Sequence, residues 1–178
     1  MTRMVTPALD TATGATADVY AQIKKAAGKV PNTYATIGAH SPQALQAVLQ
    51  ADGVLSAGSL SKQEQEIVKL VTSEVVQCDY CVSAHSLMGK LTGLSLPTLK
   101  QLRTGQPTGD ARHDALAHFV RHLVGSKGTI SQGQFEAIRA AGFTDQQLVE
   151  ISLAIAVITF TNIFNRINDT AVDFPAVD

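Results

Sequence analysis

The chain contains no tryptophan, only 5% aromatic residues and no excess of charge of either sign. Its formal net charge is −1, so composition gives no electrostatic reason to bind nucleic acid or an anionic membrane. The longest apolar stretch, residues 151–160, is too short to span a bilayer and contains Ser152 and Thr159. The first residues carry one positive charge with no apolar run behind it, unlike a secretory signal. We therefore expect a cytoplasmic protein without membrane or nucleic-acid partners.

No run of alternating apolar and polar residues marks a half-buried strand, whereas helix signals recur along the chain. Ser41-Pro42 is a typical helix start, and capping boxes begin at Ser61, Ser131 and Thr144. The pattern predicts helices at residues 15–28, 42–56, 62–77, 80–93, 97–104, 111–125, 131–141 and 144–168. We expect a single all-α domain over residues 1–178, with extended arms at residues 1–14 and 172–178.

The last predicted helix is apolar on almost every side. A helix of this kind is normally buried all round, which is difficult to achieve in a domain of 178 residues. Packing against another subunit solves this problem, so the sequence predicts a homo-oligomer. The end of this helix is unusually polar, with Asn162, Asn165, Arg166, Asn168 and Asp169. Arg166 is expected either to pair with a carboxylate at an interface or near the site, or to share a simple helix-end role with the rest of the cluster.

The only two cysteines, Cys78 and Cys81, are separated by two residues and followed by His85. On a helix, Cys81 and His85 face the same side. A thiol pair with a base beside it is suited to redox chemistry, and a helix start lowers the pKa of a thiol. Two carboxylates compete for a role: Glu66, if the chain turns between Gln77 and Tyr80, and Glu74.

Two metal sites are conceivable in this sequence. Cys78, Cys81 and His85 need one more ligand for zinc, and no closing partner is evident. Asp114, His118 and His122 lie four residues apart along one helix, although a solvated polar face is the favoured interpretation. We therefore assign neither a metal nor an organic cofactor. Tyr80 is expected to be a packing residue.

Glu66, the Cys78-Asp79-Tyr80-Cys81 motif and His85, within an all-helical chain, resemble the alkyl hydroperoxidase D-like branch of the carboxymuconolactone decarboxylase superfamily. The resemblance is strongest over residues 60–93. It implies a trimeric or hexameric thiol peroxidase that needs no cofactor. It also implies that Cys81 is the peroxidatic cysteine and Cys78 the resolving cysteine, with His85 and Glu66 in the proton relay.

Two properties of the best-known peroxidase of this family limit what the resemblance implies. The best-known peroxidase of the family has histidine at the position of Tyr80, and its reductant is a lipoyl-bearing protein. The expected partners are therefore a hydroperoxide and an external dithiol or protein reductant, with neither identified. The alternatives are a disulfide reductase or redox sensor, a zinc-binding oligomeric protein, and a decarboxylase of the same superfamily.

Overall fold

The structure is a computed structural model that describes residues 2–175, and this part of the chain contains helices and no strand. Met1 and residues 176–178 of the expected C-terminal arm lie outside the described residues. After a 3₁₀ turn at Leu9–Thr11, the helices are α1 (Gly14–Ala27), α2 (Asn32–His40), α3 (Pro42–Ser56), α4 (Lys62–Val75), α5 (Asp79–Leu91), α6 (Leu96–Thr104), α7 (Ala111–Gly125), α8 (Gln132–Ala140) and α9 (Asp145–Asn168). The all-α prediction is confirmed.

Helix α4 lies at the centre of the main core. It packs against α5, α6, α7 and α9, and its apolar residues Ile67, Val68, Leu70 and Val71 are fully buried. Its capping box is formed as predicted, with Ser61 and Glu64 bonding each other's backbone N–H groups. Side chains that are buried on both flanks of α4 leave this helix little freedom to shift. The central helix is therefore a rigid base for the side chains that it presents to its neighbours.

Helix α2, which ends at His40, is absent from the helices predicted from the sequence. The segment Asn32–His40 is short and rich in Thr and Ala, so it shows no clear apolar stripe. It is stabilised by packing in a second core with α1 and α3. At Gly38, a Cβ would lie 2.5 Å from the Tyr20 ring and 2.9 Å from Leu45 Cδ2, so only glycine permits this approach. Tertiary contacts, rather than local pattern, determine this helix.

The turn between α4 and α5 brings these two helices side by side, as the sequence required for Glu66 to reach the cysteine motif. Gln77 occupies the left-handed region with φ 57°, and the N–H of Cys78 donates to the carbonyl of Ser73. A non-glycine residue in this conformation costs roughly 1 kcal/mol, which the surrounding packing must offset. Gly89 of α5 lies close to Leu99 and leaves no room for a Cβ, which would be 2.8 Å from Leu99 Cδ2.

Helix α9 has the length and composition of a membrane-spanning helix, with a mean hydropathy of 1.7 over 18 residues. A third of that window, 33%, is buried inside the protein, where α9 packs against α3, α4 and α5. The length and hydropathy of α9 are weak evidence for a membrane segment, because core helices of soluble proteins meet the same criteria. Its apolar character continues beyond residues 151–160, the run identified in the sequence.

The carboxylate of Glu150 on α9 fixes the loop that leads into α4. It accepts hydrogen bonds from the backbone N–H groups of Ser59 and Leu60 at 2.9 Å and from the Ser59 hydroxyl at 3.1 Å. Gly58 lies against the same carboxylate, where a Cβ would be 2.8 Å from Glu150 Cδ. Burial acts to raise the pKa of Glu150, but these hydrogen bonds outweigh it and hold the pKa below its usual range.

We predict that Glu150→Ala lowers the free energy of unfolding by about 1–3 kcal/mol, because the buried N–H of Leu60 loses its acceptor. Urea denaturation followed by circular dichroism measures the change. Glu136→Ala, which removes an exposed carboxylate on α8, is the matched control and should change stability by less than about 0.5 kcal/mol. Equal stability of the two variants would show that Glu150 does not hold the loop.

Candidate active site

The two cysteines lie at the start of α5, as the sequence predicts. Cys78 is the residue that precedes the first turn, and Cys81 is in that turn. Both are free thiols, each with 2% of its surface exposed, and their Sγ atoms are 3.0 Å apart. This distance lies within the range of a sulfur–sulfur hydrogen bond. One thiol can therefore share a proton with the other without any movement of the backbone.

The carboxylate of Glu66 meets the ring of His85, with Glu66 Oε2 2.8 Å from His85 Nδ1. Burial alone acts to raise the pKa of Glu66. The neighbouring charge and hydrogen bond of His85 outweigh this effect and hold the pKa below its usual range. Because Nδ1 contacts the carboxylate, His85 Nε2 is the ring nitrogen with no hydrogen-bond partner in residues 2–175. Glu66 thus orients the imidazole, as carboxylates do in many acid–base pairs.

The rival carboxylate, Glu74, lies elsewhere. Its Oε1 is 2.5 Å from Nε of Arg103, and Glu74 does not line the cavity beside the cysteines. Lys69 Nζ lies 4.0 Å from Glu66 Oε1 and is paired with Asp52 at 2.9 Å. The structure therefore brings Glu66 and His85 together and leaves Glu74 in a separate ion pair between α4 and α6.

The two thiols differ in their tendency to ionise. The hydrogen bond from Cys81 lowers the pKa of Cys78 to about 7, and the backbone N–H of Cys81 adds to this effect. The hydrogen bond to Cys78 and burial raise the pKa of Cys81. The two thiols at this helix start therefore ionise as a pair, with one negative charge shared between them near neutral pH.

Asparagines of α9 form the other side of the cysteine pair. Nδ2 of Asn165 donates to Sγ of Cys81 at 3.2 Å, and the hydroxyl of Thr33 donates to Asn165 Oδ1 at 2.6 Å. Asn162 donates to the hydroxyl of Ser73 at 3.1 Å. All of these side chains are buried. The sequence predicts a helix-end role for these asparagines, although their i, i+3 spacing inside an apolar helix signals buried polar contacts.

A cavity of about 290 Å³ opens next to this group. Cys81, His85 and Glu66 line it, whereas Cys78 is not among the described residues that do so. Its apolar wall comes from three helices and includes Val48, Met88, Val157 and Ile158. Tyr34 also lines the cavity, and burial raises the pKa of its hydroxyl, which therefore stays protonated. The cavity suits a small, largely apolar molecule next to Cys81.

Tyr80, between the two cysteines, anchors the segment that follows α9. Its hydroxyl donates to Asp173 Oδ1 at 2.7 Å and accepts from the backbone N–H of Thr33 at 3.2 Å. The ring of Phe174 packs edge-on against Tyr80, with centroids 5.4 Å apart, and also lines the cavity. Lys29 pairs with Asp173 at 2.9 Å. Tyr80 is a packing residue, as expected, and its hydroxyl has partners as well.

The second candidate metal site has a structural role in the loop before α7. Asp114 Oδ1 accepts from the backbone N–H and the hydroxyl of Thr108, at 2.7 and 2.6 Å. His118 and His122 line shallow depressions on the surface. Among residues 2–175, no group of three or more His, Cys, Asp or Glu side chains is placed to hold a metal ion.

Residues 42–104, which include α3 to α6 and the cysteine motif, match the carboxymuconolactone decarboxylase family. No protein of curated function matches the chain in sequence. The matched segment contains Glu66, both cysteines and His85, which are the residues that carried the resemblance in the sequence.

Solved structures with the same fold cover nearly the whole chain. One is the alkylhydroperoxidase AhpD core of an uncharacterized peroxidase-related protein from Ralstonia eutropha, with 24% identity, TM-score 0.84, and 97% of this chain and 92% of that chain covered. Another is a peroxidase-related protein from Silicibacter sp. TM1040, with 23% identity, TM-score 0.80, and coverage of 96% and 91%. A third is a cysteine-to-alanine variant of the debrominase Bmp8 in complex with 2,3,4-tribromopyrrole, with 18% identity, TM-score 0.82, and coverage of 97% and 93%.

At these identities, the similarities to solved structures establish the fold. The family match is a separate observation, and it covers the segment that contains the cysteines. Peroxidase-related and debrominase proteins share the fold, so several activities occur on it. Together, the family match and the fold confirm the resemblance predicted from the sequence: the chain is similar to the alkyl hydroperoxidase D-like branch of the carboxymuconolactone decarboxylase superfamily.

Proposed function

We propose that this protein is a thiol-dependent hydroperoxide reductase that cycles between a dithiol and a disulfide. The observation that carries the proposal is the position of Cys81. Its sulfur is 3.0 Å from Sγ of Cys78, and Cys81 lines the same cavity as the Glu66–His85 pair. A nucleophile and an acid–base pair therefore line one space that a substrate can enter, and a resolving thiol lies next to the nucleophile.

In the first step, the thiolate of Cys81 attacks the distal oxygen of ROOH. The S–O bond forms as the O–O bond breaks, so that Cys81 becomes a sulfenic acid and RO⁻ leaves. His85, oriented by Glu66, supplies the proton that converts RO⁻ to the alcohol. The peroxide is reduced by two electrons, and the sulfur of Cys81 is oxidised by two.

In the second step, Cys78 attacks the sulfur of the sulfenic acid. The S–S bond forms and the S–O bond breaks, and hydroxide leaves as water after it takes up the proton of Cys78. Because the two sulfurs are already 3.0 Å apart, this step needs only a small approach of the side chains. Rapid closure protects Cys81 from further oxidation. An external dithiol then restores the reduced pair.

The burial of the cysteines also bears on the choice of reductant and on the alternative activity, disulfide reduction. Each cysteine has only 2% of its surface exposed, so a disulfide on a rigid protein surface does not reach them. This favours a small hydroperoxide over a protein disulfide as the oxidising substrate. For the same reason, the reductant is a small dithiol, either free or carried on a flexible arm of a partner protein. We place this activity in the cytoplasm, where dithiol reductants are maintained.

A second proposal concerns assembly. Phe160, Ile163 and Ile167 form an exposed apolar stripe on α9, with 40%, 56% and 60% of their surfaces exposed. A stripe at helical spacing on a core helix is typical of a buried interface. We propose that it packs against other copies of the chain in a trimer or hexamer, as the resemblance implies.

We predict that Cys81→Ser and Cys78→Ser each abolish catalytic consumption of cumene hydroperoxide with dithiothreitol as reductant. In the wild type, peroxide without reductant should lower the mass by two hydrogen atoms as the disulfide forms, and neither variant should show this change. The first assay is spectrophotometric and the second uses mass spectrometry of the intact protein. Wild-type thiols that stay reduced in excess peroxide would contradict the proposed function.

We predict that Glu66→Gln lowers kcat/KM for cumene hydroperoxide by roughly a hundredfold, the lower end of a general acid–base contribution. The amide keeps the size of the side chain but loses the charge that orients His85. Glu74→Gln is the matched control on the same helix and should retain wild-type activity, because Glu74 pairs with Arg103. Similar losses in the two variants would argue against a specific role for Glu66.

We predict that the double substitution Ile163→Glu and Ile167→Glu shifts the wild-type oligomer to monomers, because charges would be buried at the interface. Size-exclusion chromatography with light scattering measures the molar mass. Val54→Glu, at an equally exposed apolar position on α3 (62% exposed), should keep the wild-type mass. A wild-type protein that is monomeric at micromolar concentration would rule out this assembly.

A further inference from the structure

We propose that Asn165, held in place by Thr33, is a catalytic hydrogen-bond donor that stabilises the thiolate of Cys81 when it attacks. The proposal deepens the proposed function, because it rests on Cys81 being the attacking thiol. Neither residue belongs to the segment 42–104 that matches the family, and both come from helices at opposite ends of the chain.

The geometry fixes the direction of the amide group. Asn165 lies on α9 with 3% of its surface exposed, and Nδ2 is 3.2 Å from Sγ of Cys81. The hydroxyl of Thr33, on α2, donates to Asn165 Oδ1 at 2.6 Å. Since the carbonyl oxygen of the amide is engaged by this donor, the NH₂ group points at the sulfur. A donor aimed at a thiolate is worth more than one aimed at a neutral thiol.

The site needs such a donor because the attacking sulfur must carry the negative charge of the pair. Of the two cysteines, Cys81 is the one that lines the cavity. For attack, the proton of Cys81 passes to the sulfur of Cys78 across 3.0 Å, which leaves the thiolate on Cys81 and a thiol on Cys78. No electron is transferred in this step. The amide of Asn165 stabilises the product of this proton transfer.

The two neighbouring asparagines differ in this respect. Asn162 lowers the pKa of both thiols, so it favours the negative charge of the pair without choosing between the sulfurs. Asn165 acts on Cys81, where its hydrogen bond opposes the effects of burial and of the Cys78 charge. Asn165 is therefore the side chain that directs the charge towards the cavity.

Other ionisable groups lie around the cavity and the cysteine pair, and a test must keep them unchanged. They are Tyr34 on α2, Asp52 on α3, Glu66 and Lys69 on α4, Cys78 just before α5, Tyr80 and His85 on α5, and Asp173, which pairs with Tyr80. The amide that α9 contributes to the cavity, Asn165, is neutral, so its substitution by leucine removes a hydrogen bond without removing a charge.

The experiment measures the ionisation of Cys81 directly, in a Cys78→Ser background that leaves one thiol. The rate of alkylation by iodoacetamide is followed from pH 5 to 11 by mass spectrometry, which requires no peroxide turnover. We expect Asn165→Leu to raise the midpoint by about one to two pH units, which is a ten- to hundredfold loss of thiolate at a given pH below the midpoint. Thr33→Val should give a smaller rise, and Asn165→Asp the largest, because it places an acceptor against the sulfur.

Asn168→Leu is the matched control, since Asn168 is fully buried on the same helix but its amide contacts Met4 and Thr170. Its midpoint should equal that of the parent, even if its melting temperature falls. If Asn165→Leu does not fold, Thr33→Val and Asn165→Asp provide the same comparison. A merely structural role for Asn165 would lower the melting temperature and leave the midpoint unchanged.

Three outcomes decide the proposal. A shift in the Asn165 and Thr33 variants, absent from Asn168→Leu, supports it, together with a parallel fall in kcat/KM for cumene hydroperoxide when Cys78 is present. An unchanged midpoint in folded Asn165 and Thr33 variants overturns it, as does an equal shift in Asn168→Leu. A shift in a protein that consumes no hydroperoxide supports the role of Asn165 at the thiol and overturns only the proposed function.

Discussion

The close packing of α4 against α5 is the constraint on which the site depends. The absence of a side chain at Gly89 lets Leu99 of α6 pack against α5. The turn at Gln77, in the left-handed region, lets α4 and α5 approach each other. This approach places the carboxylate of Glu66 against the ring of His85 at 2.8 Å. The same turn ends at Cys78, so the helix start that favours a thiolate and the acid–base pair arise from one structural element.

Helix α9 completes the site and carries an energetic cost. Burial of an amide without hydrogen bonds is unfavourable by a few kcal/mol, so each buried asparagine of α9 needs partners. Asn165 finds them in Thr33 and Cys81, and Asn168 in Met4 and Thr170. Oδ1 of Asn162 is buried without a partner in the described part of the chain. Polar groups of this core helix thus connect Cys81 to α2 and the end of α9 to the N-terminal segment.

The burial of the cysteines affects both how the two thiols ionise and which partners can reach them. Two buried thiols that share one proton ionise as a pair, and of the two, Cys81 is the one that lines the cavity. Tyr80 joins the motif to Asp173 and to Phe174, which lines the cavity. Where the best-known peroxidase of the family has histidine, this chain has a residue that anchors its own C-terminal segment.

The sequence by itself determined the helical fold, most of the helix boundaries and the identity of the cysteine motif, because these depend on local signals such as capping boxes, apolar periodicity and CxxC spacing. It also indicated Glu66, through the resemblance. It failed for α2, whose residues lack a local pattern and are held by packing around Gly38. Only the tertiary structure decided between Glu66 and Glu74, brought Thr33 and Asn165 to Cys81, and placed Cys81 rather than Cys78 on the cavity. The reason is physical: these relations join residues up to 132 positions apart, and their distances follow from how the helices pack.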